Sequence, residues 1–458
     1  MITNRQLAIP LITLCLAQFG LVLAFQGTAL ALPVVGTSMN LSSDTRQWLV
    51  SANALAFGGL LLPAGRAADS YGHRRLFVVG CSIFTIASIG AGLAPSVGWL
   101  IACRALQGIG TACSTPATLA LLADTFPEGP ARRRALAFWG SAGPIGGIAA
   151  IVLGGWLIEL IGWRAIFLLA GPIVAPAIPL ALRVLPSNNS NVRVAPNIGS
   201  ALTGTLGIAA LIFAFAGLAS DSANVFTVSL ALIAAGLLLL LFGFMDAHSD
   251  NPIVPKKLRR IPNVGSAVFV SLFHGASTNT FIVFYAIAMQ ELHGWSAFRT
   301  GLGFIPCNIG VITGAIVASR LAATRGFRIA ALGGMSTVVV GLLLLLRLDI
   351  VIVFIGLAIA GVGLGSANIG MIGMATDAAP EEDRGTVGAL VSMAAQIGTA
   401  VGIALLTILA SIPENTRASL YFAHAGGIFL AMVGALIVLP RYSQRATVLS
   451  NAESTMST

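Results

Sequence analysis

Within a run of leucine, isoleucine and alanine stand one arginine and, three residues later, a glutamine: Arg104-Ala105-Leu106-Gln107-Gly108-Ile109-Gly110. On a helix this spacing sets a permanent cation and an amide about one turn apart on one face, followed by two glycines that let a second backbone approach. A guanidinium among apolar neighbours is costly, so it either lines a polar cavity or snorkels toward a nearby end of its helix. His274 and His424 sit in similar apolar runs. His274, near the middle of its run, is a candidate proton carrier, with a packing role as the alternative. None of the 16 acidic residues falls near the middle of such a run; Glu159 and Asp246 stand at the ends of theirs. Gln18, Gln26, Asn279, Asn308, Asn368 and Gln396 are neutral polar groups in apolar surroundings. Such groups either orient a ligand or hydrogen-bond neighbouring helices.

Other chemistries lack their residues. The five cysteines (Cys15, Cys81, Cys103, Cys113, Cys307) lie in apolar runs without a CxxC pair, and no histidine belongs to an HExxH motif, so neither a metal centre nor a hydrolytic enzyme is expected. The two lysines, Lys256 and Lys257, stand in a Pro/Arg-rich segment rather than a phosphate-binding GxxxxGK loop, which excludes an ATP-driven cycle. No potassium-channel TVGYG filter occurs. No cofactor is expected.

The surroundings of these residues identify their solvent. Of 458 residues, 57% are hydrophobic and 9% charged, against about 25% charged in an ordinary soluble domain. Fourteen stretches are long and apolar enough to cross a ~30 Å hydrocarbon core. They cover 7–32, 48–66, 76–93, 99–123, 135–160, 165–185, 198–219, 225–246, 264–289, 301–322, 329–346, 350–375, 387–410 and 420–439. With the N-terminus cytoplasmic, 19 of the 25 basic residues fall on the inner side and five (Arg46, Arg164, Arg299, Arg347, Arg417) on the outer, leaving Arg104 inside a span. That segregation is the positive-inside pattern of an even span number with both ends cytoplasmic. The net charge of +9 therefore faces anionic lipid rather than nucleic acid.

The chain also repeats itself. A shift of 253 positions lays Gly108 on Gly361, Gly110 on Gly363, Asp124 on Asp377, Pro127 on Pro380 and Glu128 on Glu381. A shift of 254 lays Arg66 on Arg320, Gly72 on Gly326 and Arg74 on Arg328. The expected fold is an all-α integral membrane protein of 14 transmembrane helices. Residues 1–185 and 264–440 form two six-helix bundles, 186–263 carry an inserted helix pair with its linkers, and 441–458 form a polar cytoplasmic tail. Parallel repeats of this kind belong to transporters whose halves rock about a site near the bilayer midplane.

Two motifs sharpen this. Between spans 2 and 3 runs Gly65-Arg66-Ala67-Ala68-Asp69-Ser70-Tyr71-Gly72-His73-Arg74-Arg75, and span 4 carries the Arg104 to Gly110 segment. Their positions resemble the GxLaDxxGRR and RxxQGxG motifs of the major facilitator superfamily. The span count and Gly162-Trp163-Arg164 are similar to its fourteen-span drug:proton antiporter branch. The resemblance implies a latch in which Gly65, Asp69, Gly72, Arg74 and Arg75 act with Asp124 and the start of span 13 to stabilise an outward-facing state. It also implies that Arg104 faces the central cavity and helps move protons, with His274, Asp69 and Asp124 as further coupling candidates. The span 5 motif is altered: Gly140, Gly143, Gly147, Gly154 and Gly155 are present, but Ala150-Ile151 replaces Gly-Pro. Ala24 stands where span 1 of such proteins carries an acid.

The expected substrate cavity comprises Gln18, Gln26, Arg104, Gln107, Asn279, Asn308, Asn368 and Gln396, with Gly108, Gly110, Gly147, Gly154 and Gly155 packing the helices. Lacking a mid-membrane carboxylate, it suits neutral or anionic solutes better than cations. The expected protein is a monomeric exporter of hydrophobic small molecules in the cell membrane, using protons and contacting lipid, without ATP or nucleic acid. A dedicated exporter of one secondary metabolite or siderophore is the alternative.

Overall fold

The computed structural model describes residues 4–126, 130–187, 198–218, 224–249, 252–253, 256–347, 349–380, 384–413 and 415–439. The first part of the chain forms α1 (Asn4–Ser38), α2 (Ser43–Tyr71), α3 (His73–Gly92), α4 (Val97–Thr125), α5 (Pro130–Ile161), α6 (Arg164–Val174) and α7 (Ala177–Val184). The last two make a single apolar run, broken at Ala175-Pro176, where proline cannot continue the hydrogen-bond ladder. Next come α8 (Ile198–Leu218), α9 (Val225–His248) and the short α10 (Lys256–Arg259). The remainder comprises α11 (Pro262–His274), α12 (Thr280–Ile287), α13 (Ala297–Gly303), α14 (Ile305–Arg325), α15 (Phe327–Leu345), α16 (Ile350–Ala378), α17 (Arg384–Ser411) and α18 (Thr416–Val438).

Two π-helical segments, Gly275–Asn279 and Ala288–Leu292, interrupt the run that begins with α11. Within the first, Ser277 donates to the Phe273 carbonyl at 2.8 Å, and Ser277 and Thr278 both donate to the His274 carbonyl. Polar N-caps start the helices that set out from one end of the bundle: Ser42 on α2, Ser96 on α4, Asp349 on α16 and Asn415 on α18.

Among the described residues, ten helical segments are long and apolar enough to cross a membrane, against the fourteen expected. Four further helices, α2, α4, α5 and α8, have 29, 29, 32 and 21 residues. Within the described side chains of α2, α5 and α8, apolar runs cover Trp48–Leu61, Ile145–Ile161 and Gly199–Leu211. On α4, Arg104 and Gln107 dilute the apolar character; at ~1.5 Å per residue the helix is ~44 Å long. The described residues thus form an all-helical architecture with ten candidate membrane spans by length and composition.

The internal repeat is visible in the packing. In the first half α4 lies between α2 and α3, α1 packs on α5 and α6, and α3 packs on α6. In the second half α16 lies between α14 and α15, α11 packs on α17 and α18, and α15 packs on α18. Equivalent glycines make equivalent contacts: a Cβ on Gly110 would stand 2.7 Å from the Gly80 carbonyl oxygen, and one on Gly363 would stand 2.8 Å from that of Gly334. The helices α8 and α9 pair with each other, and α8 lies against both α2 and α17, where Thr205 donates to the Gly59 carbonyl at 3.2 Å. Behind α9, Asp246 accepts from Arg259 at 2.5 Å and from the Ile253 amide, tying the segment before α11 to the helix pair. Pro127, Glu128, Glu381 and the tail 441–458 lie outside the described residues.

Candidate functional site

Arg104 projects from α4 and is 1% exposed. Its Nε donates to the Leu49 carbonyl on α2 at 2.8 Å, and its Nη1 donates to Gln107 Oε1 at 2.7 Å. Gln107 is itself fixed by donating to Ser88 on α3 at 2.7 Å, and Asn53 on α2 donates to the Arg104 carbonyl at 3.2 Å. The Phe167 ring centroid lies 6.0 Å from the guanidinium carbon. Every one of these partners is neutral. Among the described residues, Arg104 Nη2 has no hydrogen-bond partner and no carboxylate pairs with the side chain.

Arg104 lines a cavity of about 210 Å³. Its polar wall is Gln18, Asn53, Arg104, Thr111, Thr115 and Gln396, and its apolar wall includes Ala24, Phe25, Phe57 and Phe84. Gln396 comes from α17 in the second half; its Oε1 is buried without a partner. The cavity is therefore a shared space, walled by α1, α2, α3 and α4 and closed by one residue across the interface. The Leu49 carbonyl and Gln107 hold the Arg104 guanidinium inside the bundle beside this cavity.

The other sequence candidates separate into groups. Gln18 and Gln396 reach the cavity, whereas Gln107 orients Arg104 from behind. Gln26 and Asn308 meet over Gly147: a Cβ there would stand 2.7 Å from the Gln26 nitrogen and 3.4 Å from Asn308 Oδ1. They form a seam between α1, α5 and α14 rather than a wall of this cavity. Asn368 is exposed on α16, and the Asn279 side chain lies outside what is described. His274 is buried where α11 passes into the π segment and is not part of the wall around Arg104. Its Nδ1 has no partner. Gly108 brings α4 onto α2, with a Cβ position 2.4 Å from the Asn53 carbonyl oxygen, and Gly154 lies against Ile166.

Several residues of the expected latch surround the turn between α2 and α3. Gly72 has φ 97°, the left-handed region open to glycine, which lets α2 end and α3 begin without a loop. Arg74, on the first turn of α3, donates to the Leu182 and Leu185 carbonyls at 3.4 and 3.1 Å rather than to Asp124. It caps the negative C-terminal end of α7. Arg328, its repeat equivalent, likewise donates to the Val438 and Leu439 carbonyls at 2.8 and 2.9 Å, beyond α18. Asp124 is met by His73, with Nδ1 2.8 Å from Oδ2. Arg75 is exposed, and a Cβ on Gly65 would stand 3.8 Å from Pro116. The side chain of Asp69 and those of 384–386 at the start of α17 lie outside what is described.

At the opposite end, contacts that sequence reasoning missed join the halves. Arg46, on α2, pairs with Glu291, in the second π segment, at 2.7 Å. Gln290 donates to the Leu30 carbonyl at 3.1 Å, and the Phe298 amide donates to Glu159 at 3.1 Å. Backbones also touch there: Gly155 would place a Cβ 2.7 Å from Phe298 Cα, and Gly301 one 2.6 Å from the Ile151 carbonyl. Arg46 and Glu291 border a second cavity, of about 300 Å³, between α1, α2, α12, α17 and α18. The signal available in sequence was Arg46 as one of few basic residues on the sparse side, with Glu291 at the end of a span.

Comparison with known proteins follows this geometry. A family model described as Major Facilitator Superfamily matches residues 14–249 and 267–456. The cephamycin export protein CmcT of Amycolatopsis lactamdurans is 32% identical over 92% of this chain and 89% of its own length. The puromycin resistance protein pur8 of Streptomyces alboniger is 32% identical over 88% of this chain and 81% of its own. Among solved structures, a bacterial homologue of the human lysosomal transporter Spinster, in an inward-facing and occupied conformation, is similar with a TM-score of 0.66 at 16% identity. That match covers 95% of this chain and 97% of the other; at this identity it speaks for the fold.

Proposed function

Because the chain belongs to the major facilitator superfamily, we propose that it exports hydrophobic small molecules, antibiotics among them, across the cell membrane by alternating access coupled to the proton gradient. The observation that carries the reading is the cavity beside Arg104, walled by the first half, closed by Gln396 of the second, and lying beneath inter-half contacts at one end of the bundle. A solute held there touches both halves, so their relative rotation changes its access from one side of the membrane to the other. The contacts through Arg46, Gln290 and Glu159 then represent the closed outer side.

In this reading residues 1–185 and 264–440 are the moving bundles, 186–263 the inserted pair, and 441–458 a cytoplasmic tail on a monomer. The segregation of basic residues supports cytoplasmic termini and fourteen spans, with α2, α4, α5 and α8 completing the set. Of the coupling candidates Arg104, His274, Asp69 and Asp124, the position of Arg104 in the cavity gives it the strongest support.

Proton release from everted vesicles on addition of substrate, in wild type and Arg104→Ala, tests the mechanism. Substrate-evoked proton flux in wild type and its loss in the variant are expected; no flux in wild type refutes antiport. A narrower reading, export of one endogenous metabolite, draws on the relative named for cephamycin export. Growth of a drug-sensitive host carrying the gene separates the two: protection against many compounds supports the broad exporter, protection against one the narrow.

A further inference from the structure

We propose that the cavity beside Arg104 is an anion subsite, which binds the carboxylate of an exported compound and thereby selects acidic aromatic solutes. This rests on the reading of that cavity as the solute path.

The argument begins with unmatched charge. Arg104 is 1% exposed, and its protein partners are the Leu49 carbonyl and Gln107 Oε1, which carry no formal charge. Hydrogen bonds to neutral acceptors solvate a guanidinium without cancelling its charge, and a buried charge left uncompensated is far less stable than a paired one. The unpartnered Nη2 belongs to the same side chain that lines the cavity. The remainder of the wall holds amides, hydroxyls and apolar groups but no acid; Ala24 faces the cavity from α1. The missing counter-charge must therefore come from what enters.

Size and polarity narrow the ligand. At about 210 Å³ the space is below the ~300–1,000 Å³ of sites that enclose a drug-sized molecule. It suits a planar acid head with one or two rings, flanked by Phe25, Phe57 and Phe84. On the facing wall Gln396 Oε1 is a second buried atom without a partner, and it calls for a hydroxyl or N–H donor on the ligand. The inferred class is an aromatic carboxylate bearing a hydroxyl or amide, its acid on the first half and its donor on the second. Such a ligand bridges α4 and α17, whereas a free inorganic anion at Arg104 would engage one wall.

The test uses the purified full-length protein in nanodiscs at neutral pH, with 6-hydroxy-2-naphthoate and its methyl ester as fluorescent probes and anisotropy as readout. The acid is expected to bind at least tenfold more tightly than the ester in wild type, with that ratio collapsing in Arg104→Gln and partly kept in Arg104→Lys. Gln396→Leu, which leaves the guanidinium intact, is expected to abolish the advantage of the hydroxy acid over 2-naphthoate while preserving the preference for acid over ester. An acid-to-ester ratio equal in wild type and Arg104→Gln overturns the proposal. So does chloride binding, read as chloride-dependent thermal stabilisation, without any preference for acid over ester. Drug efflux from cells, measured in parallel, keeps the two readings distinct: export without acid preference leaves the exporter standing and removes the anion subsite.

Discussion

The pair between Arg46 and Glu291 offers the sharpest test of how the halves move. The two side chains are 23% and 35% exposed and stand 2.7 Å apart, 245 residues distant in sequence. At that exposure solvent screens the attraction, so the pair contributes about 1 kcal/mol, the upper end for exposed ion pairs. Because the contact exists in the state closed at this end, Glu291→Gln should move the equilibrium toward the open state by about fivefold, the factor that about 1 kcal/mol represents. Spin labels at positions 37 and 412, on the ends of α1 and α17 in a background with its five cysteines replaced, would report the separation of the halves. The variant should show a larger long-distance population than wild type. The charge-swapped pair Arg46→Glu with Glu291→Arg should restore most of the short one. An unchanged distance distribution in Glu291→Gln would refute the assignment of this contact as a lock. So would a swap no better than the single variants.

Arg74→Ala and Arg328→Ala should each lower stability by about 1.5–3 kcal/mol, the range for hydrogen bonds to a charged group, because each removes two bonds to helix-end carbonyls; thermal unfolding in detergent should show similar losses for the two. Gly326→Ala should cost about 1–3 kcal/mol from its backbone at φ 85° and ψ 157°, a region open to glycine, although nothing crowds the added methyl. Gly333→Ala, equally open but helical, should be neutral or slightly stabilising in the same assay. Gly155→Val should wedge the halves apart against the backbone of Phe298, abolishing export while membrane insertion, followed by fractionation, stays intact.

Much of the architecture was legible because lipid imposes simple rules. A chain in hydrocarbon must satisfy its backbone within helices, so apolar runs mark the elements, and the repeat of glycines and loop residues marks two copies of one bundle. Gly80 against Gly110 and Gly334 against Gly363 give that repeat its physical content, since both contacts need bare backbones. On α4 the polar residues beside the cavity also dilute the apolar character of the span.

Sequence by itself determined the class of solvent, the all-helical class and the presence of a cation within the apolar run of α4, because each depends on composition or on neighbours within a few turns. It could not sort the polar residues. Gln18, Gln26, Asn308, Asn368 and Gln396 look alike along the chain, yet the structure sends Gln18 and Gln396 to the cavity, Gln26 and Asn308 to a seam and Asn368 to the surface. Nor could it pair Arg46 with Glu291 or turn Arg74 from Asp124 to the end of α7. Those outcomes depend on which helix faces meet, a property of packing between segments far apart in the chain, and a few ångströms of approach decide whether a polar group meets a ligand, a carbonyl or lipid.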